Sequence, residues 1–223
     1  MIRMTHVTKT YGEIEPALDD ISLEIEKGEF VFLTGASGAG KTTLLKLIFC
    51  EERGEQGELF VNNKNIFTLK EREIPYLRRT IGFVFQDFKL IHRKTVFENV
   101  ALPMEIVGKS SGREIKRRVH EVLEMVQLQG HERKLPDAIS AGEQQRVAIA
   151  RAMVNHPLFL LADEPTGNLD EMLSLEIFNL LKNINTFGTT VVVATHQRNA
   201  ISKIQSRMVT LLHGKIVSNG RTE

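Results

Sequence analysis

The chain has 223 residues, 42% hydrophobic and 26% charged, an ordinary globular balance that excludes a disordered polypeptide and allows a substantial core. Lys and Arg number 29 against 28 Asp and Glu, a formal net charge of +1, so the chain-wide basic field of a nucleic-acid binder is absent. The single cysteine, Cys50, excludes an internal disulfide or a multi-cysteine metal site; with no apolar export signal in Met1 to His6 it points to a reducing compartment, and no run approaches the roughly 18 apolar residues of a membrane span.

In chain order, Ile2 to Val7 reads as a strand ended by a turn at Tyr11 and Gly12. Ile21, Leu23 and Ile25 alternate with Ser22, Glu24 and Glu26, the pattern of a half-buried strand. Lys27-Gly28-Glu29 turns into the wholly apolar Phe30 to Leu33, as expected of a strand covered on both faces. A glycine-rich loop and a helix over Thr42 to Cys50 follow. Strands are expected at Glu58 to Val61 and Ile81 to Phe85. Residues 87–139 read as a mostly helical insertion, with helix Glu114 to Leu128 carrying Ile115, Val119, Val122, Leu123 and Val126 on one stripe and Lys116, Arg117, Arg118 and Glu121 on its solvated face. A second helix is expected over Ser140 to Val154. The chain then returns to strand at Leu158 to Ala162, helix at Leu173 to Ile184 and strand at Thr190 to Ala194, and closes with a hairpin, Met208 to Leu212 and Lys215 to Val217, and a frayed tail, Asn219 to Glu223.

Gly35, Ala36, Ser37, Gly38, Ala39, Gly40, Lys41 and Thr42 match the phosphate-loop pattern without a mismatch, between a strand and a helix. Glycines let successive N–H groups face inward, where phosphate oxygens replace water beside a helix N-terminus. Lys41 reaches the β- and γ-phosphates, Thr42 offers a hydroxyl to Mg2+, and Thr43 is a second hydroxyl contact. Downstream, Asp163 and Glu164 stand at the carboxyl end of the apolar run Phe159 to Ala162, the sheet edge where ligands sit. Asp163 suits a Mg2+-organising carboxylate and Glu164 a group that polarises an attacking water. Asp170 opens the next helix either as its cap or as an interface contact.

With these motifs in place, Ser140-Ala-Gly-Glu-Gln-Gln-Arg146, 23 residues before Asp163, resembles the signature of the ATP-binding-cassette (ABC) ATPases, a resemblance that spans essentially the whole chain. It implies an α/β fold: a P-loop NTPase of ABC type, with a mixed RecA-like core sheet, an antiparallel β subdomain and an inserted α-helical subdomain. Residues 1–223 would form one nucleotide-binding domain, with 1–86 and 155–223 as core and β subdomain and about 87–154 as the helical subdomain bearing the signature and the glutamine-loop connection. It also implies ATP and Mg2+ as cofactors. Two copies would meet head to tail, so that Ser140, Ala141, Gly142 and Glu143 of one chain cap phosphates held by the other. Tyr11 would stack on adenine, Gln86 contact Mg2+ or its water, Asp170 fall at the loop crossing the dimer interface, and His196 contact the γ-phosphate beside the catalytic Glu164 and Lys41.

Ala162 to Asp170 is similar to the branch serving lipoprotein export, macrolide-type efflux and cell division, and the stretches Leu77 to Leu90 and Thr95 to Pro103 lean toward the cell-division members. That likeness implies an FtsX-like integral membrane partner, regulation of peptidoglycan hydrolysis and a peripheral place at the cytoplasmic face of the bacterial inner membrane. The alternative is the ATPase subunit of a lipoprotein or macrolide-type exporter. The surface bearing Gln86 to Asn99 would receive a short helix from the partner; Phe88, Leu90, Ile91, Val96 and Phe97 are many apolar residues for a presumed loop, so some must be core and an exposed subset would suit a partner groove. The basic face of Arg113, Lys116, Arg117 and Arg118 is a solvated helix surface or a contact for anionic lipid, with no nucleic-acid role. Two departures stand out: Ala141 replaces the family's usual glycine, and Gln197 follows the switch histidine where many relatives have aspartate.

Overall fold

The computed structural model describes residues 1–12, 15–197 and 201–221. Strands β1 (Ile2–Lys9), β2 (Leu18–Ile25), β4 (Gln56–Val61) and β5 (Lys64–Asn65) form an antiparallel sheet in the order β2-β1-β4-β5. The second sheet has six strands in the order β10-β9-β3-β8-β7-β6, built from β3 (Phe30–Thr34), β6 (Ile81–Val84), β7 (Phe159–Asp163), β8 (Thr190–Ala194), β9 (Arg207–Leu212) and β10 (Lys215–Arg221). All neighbours in it are parallel except the β9–β10 hairpin.

The central strands are buried on both faces, and the two-residue period of a strand divides their side chains between two cores. Phe30, Phe32, Leu160, Val191 and Val193 face one core; Val31, Leu33, Phe159, Leu161 and Val192 face the other. The first core continues into helices α3 (Val96–Val107), α4 (Gly112–Met125), α5 (Ala141–Met153) and α6 (Glu171–Thr186). Phe32 meets Phe178 of α6 edge to face, ring centroids 5.4 Å apart. The second core holds α1 (Lys41–Ile48), α2 (Ile74–Arg78) and the inner face of the antiparallel sheet. This arrangement is the mixed core sheet that the resemblance implies, with the antiparallel sheet on one side and a helical insertion between β6 and β7.

Three sequence expectations are corrected. Arg118 is not on a solvated face: it is 8% exposed, and its guanidinium donates to the carbonyls of Val154 at 3.0 Å and Met153 at 2.8 Å. It caps the carboxyl end of α5 from α4, satisfying carbonyls that a helix end leaves open. The basic surface is thereby reduced to Arg113, Lys116 and Arg117. The presumed loop from Gln86 to Asn99 ends early, because Thr95 and Glu98 form a reciprocal capping box that starts α3 at Val96. The burial within this segment is as expected, part core and part exposed: Val96 is fully buried and Leu90 nearly so, while Ile91 stays exposed. The tail is strand through Arg221: Asn219 pairs with Val209, Gly220 with Met208 and Arg221 with Arg207. The last two tail residues lie outside the described residues.

Candidate active site

Four loops leave the carboxyl ends of parallel strands on one edge of the six-stranded sheet: the glycine loop after β3, Gln86 beyond β6, Glu164 after β7 and His196 beyond β8. The topology thus collects residues far apart in sequence into one pocket of about 410 Å³. Its walls include Ala36, Ser37, Gly38, Gly40, Lys41, Thr42, Thr43, Gln86, Glu164 and His196. Ala17, which no sequence pattern marked, also lines it.

The loop needs its glycines. Gly35 has φ +145° and Gly40 φ +104°, and a Cβ at either would stand 2.3 or 2.4 Å from the carbonyl of Leu211 or Ala17. Gly38, φ +79°, has open space where a side chain would be, so its backbone can be approached closely. The buried Lys41 ammonium donates to the carbonyls of Gly35 at 2.9 Å and Ala36 at 3.1 Å and lies 3.6 Å from Glu164 Oε1.

Thr42 donates its hydroxyl to Asp163 Oδ1 at 3.0 Å. Burial pushes the Asp163 carboxyl above its ordinary pKa; the Thr42 hydrogen bond opposes the shift and the neighbouring Glu164 charge adds to it. The hydroxyl of Thr42, the carboxylate of Asp163 and the amide of Gln86 are oxygen donors of the hard type that Mg2+ takes, so the residues present fit that ion.

Because the folded pKa of Asp163 is raised, its contribution to stability is full below the unfolded carboxylate pKa and is lost as pH rises through the folded value. At neutral pH the ionised group opposes folding. We expect Asp163→Asn to raise the metal-free melting temperature by roughly 2 °C at pH 7, with the gain falling as pH drops through the folded pKa of Asp163 and gone below about pH 4. Thermal melts in chelator at both pH values check this; a lower melting temperature at pH 7 would contradict it.

Glu164 adopts φ +46°, unusual for a residue with a side chain, and is 9% exposed. Its Oε2 lies 3.0 Å from His196 Nδ1 and accepts the His196 backbone N–H at 3.3 Å. Glu164 is therefore held between the Lys41 ammonium and the switch-loop imidazole, at the rim of the pocket.

The other candidate residues lie elsewhere. Ser140 caps α5 and forms a capping box with Glu143: Glu143 Oε2 accepts from Ser140 N–H at 2.7 Å and from its hydroxyl at 2.8 Å. These bonds, the backbone one foremost, hold Glu143 below its ordinary pKa, and its other oxygen meets His131 Nε2 at 2.9 Å, a contact no sequence pattern marked. Ser140, Ala141, Gly142 and Glu143 do not line the pocket. Asp170 caps α6, accepting from Leu173 N–H at 2.9 Å. Tyr11 is exposed, with the Lys9 ammonium 5.0 Å from its ring centroid, and is outside the pocket lining. Gly35 and Ala39 support the loop from behind.

The fold and this loop cluster define a cassette ATPase, and the comparisons agree: residues 18–167 match the ABC transporter family model. The chain belongs to that family and is an ATP-hydrolysing enzyme. It is similar to the cell division ATP-binding protein FtsE of Mycobacterium tuberculosis, 51% identical over 97% of this chain and 94% of the relative. It is 49% identical to FtsE of Bacillus subtilis over 97% of this chain and 95% of that protein, and 49% identical to FtsE of Escherichia coli over 97% of both. Among solved structures it resembles a dimeric ATP-binding cassette in a post-hydrolysis state bound to ADP and Pi, with TM-score 0.90, 40% identity, and 100% of this chain and 99% of that one covered. No helix among the described residues is long and apolar enough to cross a membrane.

Proposed function

We propose that the chain binds and hydrolyses ATP with Mg2+ as a head-to-tail dimer, coupled to an FtsX-like integral membrane protein in bacterial cell division and the control of peptidoglycan hydrolysis. One observation carries the composite site: the pocket collects Lys41, Thr42, Gln86, Glu164 and His196 from a single chain but no residue of the signature segment. The dimeric relative bound to ADP and Pi supports this reading, and the FtsE relatives support the cellular role.

In the proposed mechanism the loop N–H groups and Lys41 bind the phosphate oxygens and offset their charge. Thr42, Asp163 and Gln86 would hold Mg2+, which supplies further positive charge there. Glu164, within reach of Lys41 and His196, orients a water and takes its proton. The partner chain's signature helix would close over the phosphates with its N-terminus and the Ser140 hydroxyl. That hydroxyl is directed to Glu143 in the single chain, so closure has to redirect it. Tyr11 would meet the adenine and Asp170 lie near the interface. The protein would sit at the cytoplasmic face of the inner membrane through its partner, with Arg113, Lys116 and Arg117 available to anionic lipid.

Reconstitution tests the coupling. ATP hydrolysis in vesicles should rise when the FtsX-like protein of the same source is present and stay unchanged with a lipoprotein-export or macrolide-type permease. Stimulation by a permease alone would assign the chain to export instead.

A further inference from the structure

The residue after His196 forms a link of its own. Gln197 reaches Thr166, two residues beyond Glu164, through both ends of its amide. The Thr166 carbonyl can only accept, so it fixes the amide orientation: Nε2 donates to it at 3.0 Å, leaving Oε1 to accept the Thr166 hydroxyl at 3.0 Å. Thr166 is fully buried, and its carbonyl also accepts from Leu169 N–H at 3.1 Å. On its own side, Gln197 N–H donates to Thr195 Oγ1 at 3.1 Å, and Thr195 N–H donates to Leu33 O at 3.0 Å, anchoring the loop to β3. The clamp therefore ties the loop carrying His196 to the turn carrying Glu164, beside the Glu164–His196 contact. An ionised aspartate, common at this position in the wider family, accepts but cannot donate, and is one methylene shorter; it cannot make the bond to the Thr166 carbonyl.

We propose that Gln197 is a positioning residue for ATP hydrolysis: its amide clamps the switch loop to the turn after Glu164 and so fixes the Glu164–His196 pair against the attacking water. This rests on the reading of Glu164 as the water-polarising group. Gln197 does not line the pocket, so it acts on turnover and not on nucleotide affinity. A displaced base loses rate because proton transfer needs close geometry.

The test compares full-length Gln197→Met, which keeps length and removes both hydrogen bonds, with Gln197→Glu, which keeps length and removes only the donor. Thr166→Val deletes the hydroxyl contact from the other side with little change of volume, and Glu164→Gln serves as the reference. Steady-state ATP hydrolysis is measured well below each variant's melting temperature. We expect Gln197→Met to lower kcat roughly 10-fold with KM within about twofold of the parent. Gln197→Glu should fall at least as far, because its carboxylate faces the Thr166 carbonyl, and Thr166→Val should fall by about threefold. If Glu164→Gln is inactive while both Gln197 variants turn over within about twofold of the parent, the clamp is wrong and the reading of Glu164 survives. A loss borne by KM with kcat unchanged makes Gln197 merely structural and also overturns the proposal. Full turnover in Glu164→Gln removes the group the clamp serves and overturns both.

Discussion

Glu164→Gln should bind ATP with unaltered affinity and hydrolyse it roughly 100-fold or more slowly. The amide has nearly the volume of the carboxylate and can still meet His196, so the φ +46° turn and the 3.0 Å contact can persist. What disappears is the negative charge proposed to accept a proton from water, together with its pairing to Lys41 at 3.6 Å. The slowed variant should accumulate as an ATP-held dimer, because the sandwich forms but does not resolve. Sedimentation with ATP, beside phosphate release, reads both effects. A monomer hydrolysing at the parent rate would show that another group polarises the water.

Ser140→Arg should be almost as severe, although Ser140 lies outside the pocket of its own chain. Losing the cap costs about 1 kcal/mol of helix stability, which the buried core around α5 can absorb. Losing the hydroxyl that the proposed closure would turn from Glu143 to the partner's phosphates, and putting a bulky cation in its place, should cost roughly 100-fold in turnover. Labelled-ATP binding to the isolated chain should stay within about twofold of the parent, because Lys41 and the glycine loop are untouched. Parent-like hydrolysis by a folded Ser140→Arg chain would place the signature outside the reaction.

How far the sequence announces this structure depends on whether the partners are local. The strand from Thr190 to Ala194 is readable to the residue, because five consecutive residues suited to a covered strand sit between a polar turn and a polar loop. The glycine loop is readable because its backbone geometry demands particular residues at fixed spacing. Helix ends shift by up to three residues: Thr42 to Cys50 becomes Lys41–Ile48, and Glu114 to Leu128 becomes Gly112–Met125. The larger misses are non-local. Arg118 looks like the third charge of a solvated run, but the carbonyls that bury it lie 35 and 36 residues away. Asn219 to Arg221 looks like a polar tail until β9 supplies its ladder. The start of α3 is a local feature, the capping pair of Thr95 and Glu98. In the site, the identity of Lys41, Asp163, Glu164 and His196 is a matter of motif. The Gln197–Thr166 clamp and the His131–Glu143 contact depend on which loops the sheet edge and helices bring together.

The shared site can be tested directly by crosslinking. One chain carries Ser37→Cys and the other Ala141→Cys, both at exposed positions, the first on the glycine loop and the second opening the signature helix. Cys50 is buried, with its thiol pushed up to about 11, and is replaced by alanine to remove its background. A short bismaleimide is added to the mixed, hydrolysing protein with and without ATP. The account predicts an ATP-promoted product joining the two different chains. Absence of that product while hydrolysis proceeds, or an active protein that remains monomeric throughout turnover, would contradict it.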